Sequence, residues 1–260
     1  MEVSLELQKL RIREGLDIVV VENDAAFVSF AADQVCGVIK NKLNAVLGLA
    51  TGSTPIGLYA ELVKRYQATE VDFSQVRTFN LDEYVGLAGD HPQSYRQYMH
   101  QHLFSKVNLQ AGNTYLPSGI ATDLEAEAAR YDALLERLGP VDLQILGIGE
   151  NAHIAFNEPG TPFSSSTHVV DLTESTIEAN ARFFASRDEV PRQAVTMGIA
   201  SILRARRVML LAQGDKKAEA IRLSLEEEMT PQVPASALQS HPSVLVVVDR
   251  PAASRLAAVR

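Results

Sequence analysis

The chain has 260 residues, with 24 Lys and Arg against 32 Asp and Glu, a formal net charge of −8, and 46% hydrophobic residues. This balance is that of a folded globular protein and excludes disordered and collagen-like chains. No basic run is present to displace counterions, and an acidic surface does not attract an anionic leaflet, so neither nucleic acid nor membrane is an expected partner. The length allows a large core, in one α/β domain or two smaller ones.

The N-terminus, Met1-Glu2-Val3-Ser4-Leu5-Glu6, carries acids where a signal peptide needs bases, and no apolar segment follows. The single cysteine, Cys36, lies in the apolar pattern of residues 27–38 and reads as a small buried hydrophobe. It can form neither an internal disulfide nor a thiolate zinc site alone. The longest apolar runs, 18–21, 208–212 and 244–248, are too short to span a bilayer. A reducing cytoplasm is the expected compartment.

Those short, β-branched, continuous runs have the character of buried parallel strands. Residues 16–21, 45–50, 76–81, 141–147, 207–213 and 244–248 form the set. Helical spacing lies between them: Ile56, Tyr59, Val63 and Tyr66; Leu124, Ala128, Tyr131 and Leu135; Ala218, Ile221 and Leu225 before the acidic run 226–228. Alternation of this kind predicts a parallel sheet with helices on both faces, in an α/β chain. Only residues 147–166 fit neither period. In such sheets ligands bind at the carboxyl ends of strands, so the loops after Ala50, Leu81, Leu146 and Gln213 are where chemistry is expected.

The first of these loops reads Thr51-Gly52-Ser53-Thr54-Pro55. Proline at the first helical position, preceded by hydroxyl residues, marks a helix start with unpaired amides, which can bind phosphate or simply form a capped turn. No Gly-Lys-Ser/Thr follows, so a nucleoside triphosphate is not expected. The second loop opens Asn80-Leu81-Asp82-Glu83-Tyr84. Adjacent carboxylates rarely point the same way, so one can face a pocket while the other anchors the loop. A pocket carboxylate of raised pKa is a competent carbon-acid base; an acidic surface turn is the alternative. The third is Gly147-Ile148-Gly149-Glu150-Asn151-Ala152-His153, followed by Asn157-Glu158-Pro159. His153 can take and give a proton near neutrality, and Glu158 can orient it; no third ligand is evident, so zinc is not predicted. His100 and His102 sit on different faces of a predicted helix and read as surface. Arg182 and Lys217 can each hold an anion, although either alone reads equally as solvated surface.

Taken together, LGLATGSTPIGLY, TFNLDEYVGL, HPQSY, LGIGENAHIAFNEPG, NARFF, VPRQAVTMGI, LLAQGDKKAEAI and LQSHPSVLVVVD resemble the glucosamine-6-phosphate deaminase family from about residue 45 to 249. The resemblance implies a single Rossmann-like α/β domain over residues 1–260. It implies conversion of glucosamine 6-phosphate and water to fructose 6-phosphate and ammonia, without metal or redox cofactor. By the same resemblance His153 opens the sugar ring, Asn151 and Glu158 hold it in orientation, and Asp82 moves the C2 proton to C1. Thr51, Gly52, Ser53, Thr54, Arg182 and Lys217 match the phosphate-binding positions.

Two stretches depart from the family pattern. Many members have Asp-Gly-His where this chain has Asn151-Ala152-His153. Allosteric members, hexameric and activated by N-acetylglucosamine 6-phosphate, carry an Arg and a Lys where this chain offers His168 and Val170. With the chain stopping at Arg260, a non-allosteric monomer or small homo-oligomer is expected. The rival readings are a 6-phosphogluconolactonase, which has no need of LDEY followed by HIAFNEP, and a sugar-phosphate-sensing regulatory domain. The latter needs a helix-turn-helix ahead of it, and about 15 residues before the first predicted strand are too few.

Overall fold

The structure, a computed structural model, describes residues 7–259; the reading of residues 1–6 as unlike a signal peptide lies outside them. In chain order the strands are β1 (Leu7–Arg13), β2 (Leu16–Val21), β3 (Val46–Leu49), β4 (Arg77–Asn80), β5 (Asp82–Tyr84), β6 (Thr114–Tyr115), β7 (Leu143–Leu146), β8 (His168–Asp171), β9 (Gln193–Thr196), β10 (Val208–Ala212) and β11 (Val244–Asp249). The α-helices are α1 (Asp24–Asn41), α2 (Pro55–Gln67), α3 (Tyr95–His102), α4 (Leu124–Leu138), α5 (Glu174–Ala181), α6 (Ile199–Leu203), α7 (Ala218–Glu226) and α8 (Arg250–Ala253). Among the described residues no helix is long and apolar enough to cross a membrane.

Each of the six predicted strand regions holds a strand: β2, β3, β4, β7, β10 and β11. They lie in one eight-stranded sheet of order β1-β2-β11-β10-β7-β3-β4-β6. All pairings in it are parallel except β1 with β2. In β3, β7 and β10 every residue is buried. Neighbouring side chains on a strand point to opposite faces, so both faces of the sheet centre are covered. The predicted helix faces pack in part: Tyr59 and Val63 of α2 and Ala128, Tyr131 and Leu135 of α4 are buried, while Ile56 is exposed and Tyr66 and Leu124 are half-buried. Leu58, Leu62 and Leu134 complete the buried faces.

The first described strand begins at Leu7, nine residues before the first one predicted. Its pattern is interrupted by Lys9, Arg11 and Arg13, all exposed, because an edge strand buries little and gains from charge. A second departure matters more for the site. β5, β9 and β8 form a separate three-stranded antiparallel sheet. Asp82 and Glu83 therefore open a new strand rather than closing β4. Leu81 is the joint: its N–H donates to Leu49 O at 3.2 Å and its carbonyl accepts from Met197 N at 2.7 Å. A second core of Tyr84, Phe156, Leu172, Ile177, Val190 and Ala194 fills the space behind this small sheet.

Candidate active site

A cleft of about 490 Å³ lies at the seam of the two sheets. It is lined from four predicted loops, by residues 50–55, by Leu81 and Asp82, by loop residues from Gly147 to Phe156, and by Lys216 and Lys217. A fifth wall comes from α5 and the turn after it, through Ser175, Thr176, Asn180, Arg182 and Phe183. Of the ten residues expected at the site, nine line the cleft, and Glu158 stands behind His153.

The two adjacent carboxylates diverge. Glu83 turns away from the cleft, and its oxygens accept from the backbone N–H of Tyr84, Tyr95 and Arg96 at 3.0, 2.9 and 3.0 Å. It thereby joins β5 to the start of α3. Asp82 is 6% exposed, and among the described residues no hydrogen bond reaches its carboxylate. Burial, with the charge of Glu83 beside it, pushes its carboxyl up to about 8. Asp82 is thus a buried cleft carboxyl with no hydrogen-bond partner among the described residues.

The His153 loop is tightly built. Ala152 and Ala155 adopt left-handed backbone with φ of +66° and +52°, which disfavours a side chain and persists only when the surroundings hold it. Asn157 Nδ2 donates to Ile154 O at 2.9 Å and Met197 O at 2.8 Å, and Phe156 N donates to Thr196 Oγ1 at 3.1 Å. The His153 ring lies against Gly149, where a Cβ would stand 2.4 Å from its Nδ1 and Cε1. Only glycine leaves room for the imidazole in this position.

Behind the ring, Nδ1 of His153 is 3.6 Å from Glu158 Oε2. Glu158 also accepts from Asn151 Nδ2 at 2.7 Å, from Thr173 Oγ1 at 3.3 Å, and from Thr176 Oγ1. Burial alone would raise the Glu158 carboxyl; His153, Thr176 and Asn151 outweigh it and hold it at about 2. Asn151 reaches the imidazole only indirectly: its Oδ1 accepts from the His153 backbone N–H at 3.2 Å while its amide holds Glu158. Orientation of the ring therefore runs through the carboxylate and the backbone. Thr173 and Thr176 on α5 complete this arrangement. Their part in it is a contact between distant elements, to which the local ESTIEANA pattern gives no clue.

The same cleft is also lined by the 51–54 loop and by Arg182, Lys216 and Lys217. Gly52 has φ of +102° with open space around it, so the backbone conformation is what calls for glycine there. The Thr54 side chain makes no capping bond, and among the described residues the amides of residues 51–54 donate to no protein group. Arg182 lies over the Phe183 ring, 4.7 Å from its centroid. Burial lowers the Lys217 ammonium; Glu150 opposes this, and the nearby Arg182 and Lys216 add to it. Neither Arg182 nor Lys217 forms a salt bridge with a described residue. Arg182, Lys217 and the free amides of residues 51–54 thus share one cleft, a set of donors suited to a compact anion.

A largely parallel α/β sheet with a polar cleft at the ends of its strands defines a Rossmann-like class of protein. Residues 22–247 match the family described as glucosamine-6-phosphate isomerases/6-phosphogluconolactonase, and the chain belongs to that family. Within it, the chain is 50% identical over 239 residues to a glucosamine-6-phosphate deaminase of Thermoanaerobacter pseudethanolicus, covering 92% of this chain and 94% of that one. It is 53% identical over 226 residues to one of Clostridioides difficile, covering 87% and 91%. A solved monomeric glucosamine-6-phosphate deaminase superposes with a TM-score of 0.90 at 47% identity, over 92% of this chain and 99% of that one. The 6-phosphogluconolactonase of Thermotoga maritima, at 21% identity and a TM-score of 0.71 over 89% and 98%, shares the fold.

Proposed function

We propose that the chain is an enzyme that converts glucosamine 6-phosphate and water to fructose 6-phosphate and ammonia. The observation that carries this reading is what one cleft brings together: the free amides of residues 51–54 with Arg182 and Lys217, and Asp82 with His153, which Glu158 backs. The phosphate binds to the amides of residues 51–54 and to the two cations. His153 carries the proton from the anomeric hydroxyl to the ring oxygen, opening the pyranose. Glu158, ionised throughout the working range, stabilises the imidazolium that forms between these transfers.

Asp82 in its ionised form then removes the C2 proton; the C2–H electrons form the C1=C2 bond, the carbonyl pair passes to O1, and O1 takes a proton released by the C2 ammonium, giving an enolamine. Return of the proton to C1 leaves an imine at C2. Water adds to it, ammonia leaves, and the ketone of fructose 6-phosphate remains. Asp82 is suited to both transfers because its raised pKa makes it a stronger base than an exposed carboxylate.

The reading extends to a single domain over residues 1–260, supported by the backbone bonds of Leu81 to both sheets. It includes a cytoplasmic monomer or small oligomer acting on a small sugar phosphate, with no nucleic-acid partner; the net charge of −8 is consistent with this. The test is release of ammonia and fructose 6-phosphate from glucosamine 6-phosphate by the wild type and by Asp82→Asn. No release by the wild type, or equal rates from both, would overturn it.

A further inference from the structure

The loop that faces the phosphate has two hydroxyl anchors that the steps above do not use. The phenol of Tyr59, on α2, donates to the Ala50 carbonyl at 2.6 Å, and that of Tyr98, on α3, donates to the Gly52 carbonyl at 2.6 Å. The rings meet edge to face, with centroids 6.5 Å apart. In a planar trans peptide the N–H points away from the C=O. A phenol that holds the Ala50 or Gly52 carbonyl therefore turns the next amide, of Thr51 or Ser53, to the opposite side. These are amides that donate to no described protein group, in a segment that lines the cleft.

We propose that Tyr98, backed by Tyr59, is a positioning residue for the substrate phosphate. It fixes the peptide plane between Gly52 and Ser53, so that the Ser53 N–H is set for a phosphate oxygen before the ligand arrives. The need comes from Gly52. Glycine at φ of +102° has many alternative conformations, and an unanchored plane beside it would turn over readily. Holding it in advance removes an ordering cost from binding. The same helix that carries Tyr98 begins at the amides held by Glu83, next to Asp82. One eight-residue helix thus ties the strand of the proton carrier to the phosphate loop and sets the reach between them.

The inference rests on the phosphate site of the proposed function, and its test separates the two. Inorganic phosphate is titrated into the wild type and Tyr98→Phe, followed by the amide resonances of Thr51 and Ser53, and KM and kcat are measured for glucosamine 6-phosphate. Loss of one such hydrogen bond predicts a rise of about three- to tenfold in both the phosphate Kd and KM. A kcat within about twofold of wild type then marks a binding role. Equal Kd and KM in the two proteins, or a fall in kcat alone, overturns the proposal. So does a wild-type Ser53 amide that does not respond to saturating phosphate, a result that stands even where Tyr98→Phe does not fold. Phosphate binding without ammonia release by the wild type would defeat the proposed reaction, and the Tyr98 comparison would still decide the loop.

Discussion

At the scale of single residues, two carboxylates one position apart have opposite tasks, and their hydrogen bonds decide which has which. Asp82 is buried without a partner, so protonation is favoured and its carboxyl rises from the ordinary 3.8 to about 8. In the free enzyme the ionised fraction, and with it kcat/KM, should climb through about pH 8; Asp82→Asn should lower kcat by about a thousandfold and abolish that limb. The same shift bears on stability. The unfolded chain ionises near 3.8 while the folded one holds its proton, so the contribution of Asp82 is full below that value and falls as pH rises towards 8. Asp82→Asn should therefore melt higher than wild type at pH 8 and gain less at pH 4, as thermal denaturation at the two values will read. Glu158 is the reverse case. Held at about 2, it stabilises the fold above the ordinary glutamate value of 4.5, and that stability is lost as pH falls towards 2. Glu158→Gln should flatten this acid limb, so that the variant loses less stability than wild type between pH 7 and pH 3, as thermal denaturation at the two values will read.

At the scale of elements, the site depends on short pieces whose ends are tied to one another. Glu83 binds the first amides of α3, and Ser94 caps the same helix by accepting from Gln97 N at 3.0 Å. Replacing Glu83 by Gln puts an amide N–H against backbone donors. The expected loss is about 1–3 kcal/mol, read as a lower melting temperature, together with a fall in kcat as the strand bearing Asp82 shifts. Thr173 caps α5 through Thr176 N, and both threonines also touch Glu158. The helix that leads into Arg182 is thus joined to the acid–base pair. These ties explain a difference in legibility. The central strands of the large sheet are legible because their segments are largely apolar, and every residue of β3, β7 and β10 is buried. β5, β8 and β9 have three or four residues each, with mixed polarity, and only pairing to one another makes them strands.

At the scale of the whole molecule, a net charge of −8 coexists with two cleft cations, Arg182 and Lys217, that form no salt bridge with a described residue. In β8, His168 Nδ1 lies 2.8 Å from Ser166 O, and Val170 is apolar, so this strand offers no pair of cations for a second phosphorylated ligand. The protein should sediment as a monomer or small oligomer, with hyperbolic kinetics unchanged by N-acetylglucosamine 6-phosphate; marked activation or a stable hexamer would refute this. Local order was set in the chain itself: apolar runs, helix starts, and the Gly-rich and Asn-rich loops of the cleft are properties of neighbouring residues, and the family motifs follow from them. The antiparallel sheet, the divergence of Asp82 from Glu83, the indirect role of Asn151, and the threonine and tyrosine contacts are properties of segments far apart in sequence. They arise only when the chain closes, because burial and hydrogen bonding between distant groups determine which polar atoms are satisfied and which are left facing the cleft.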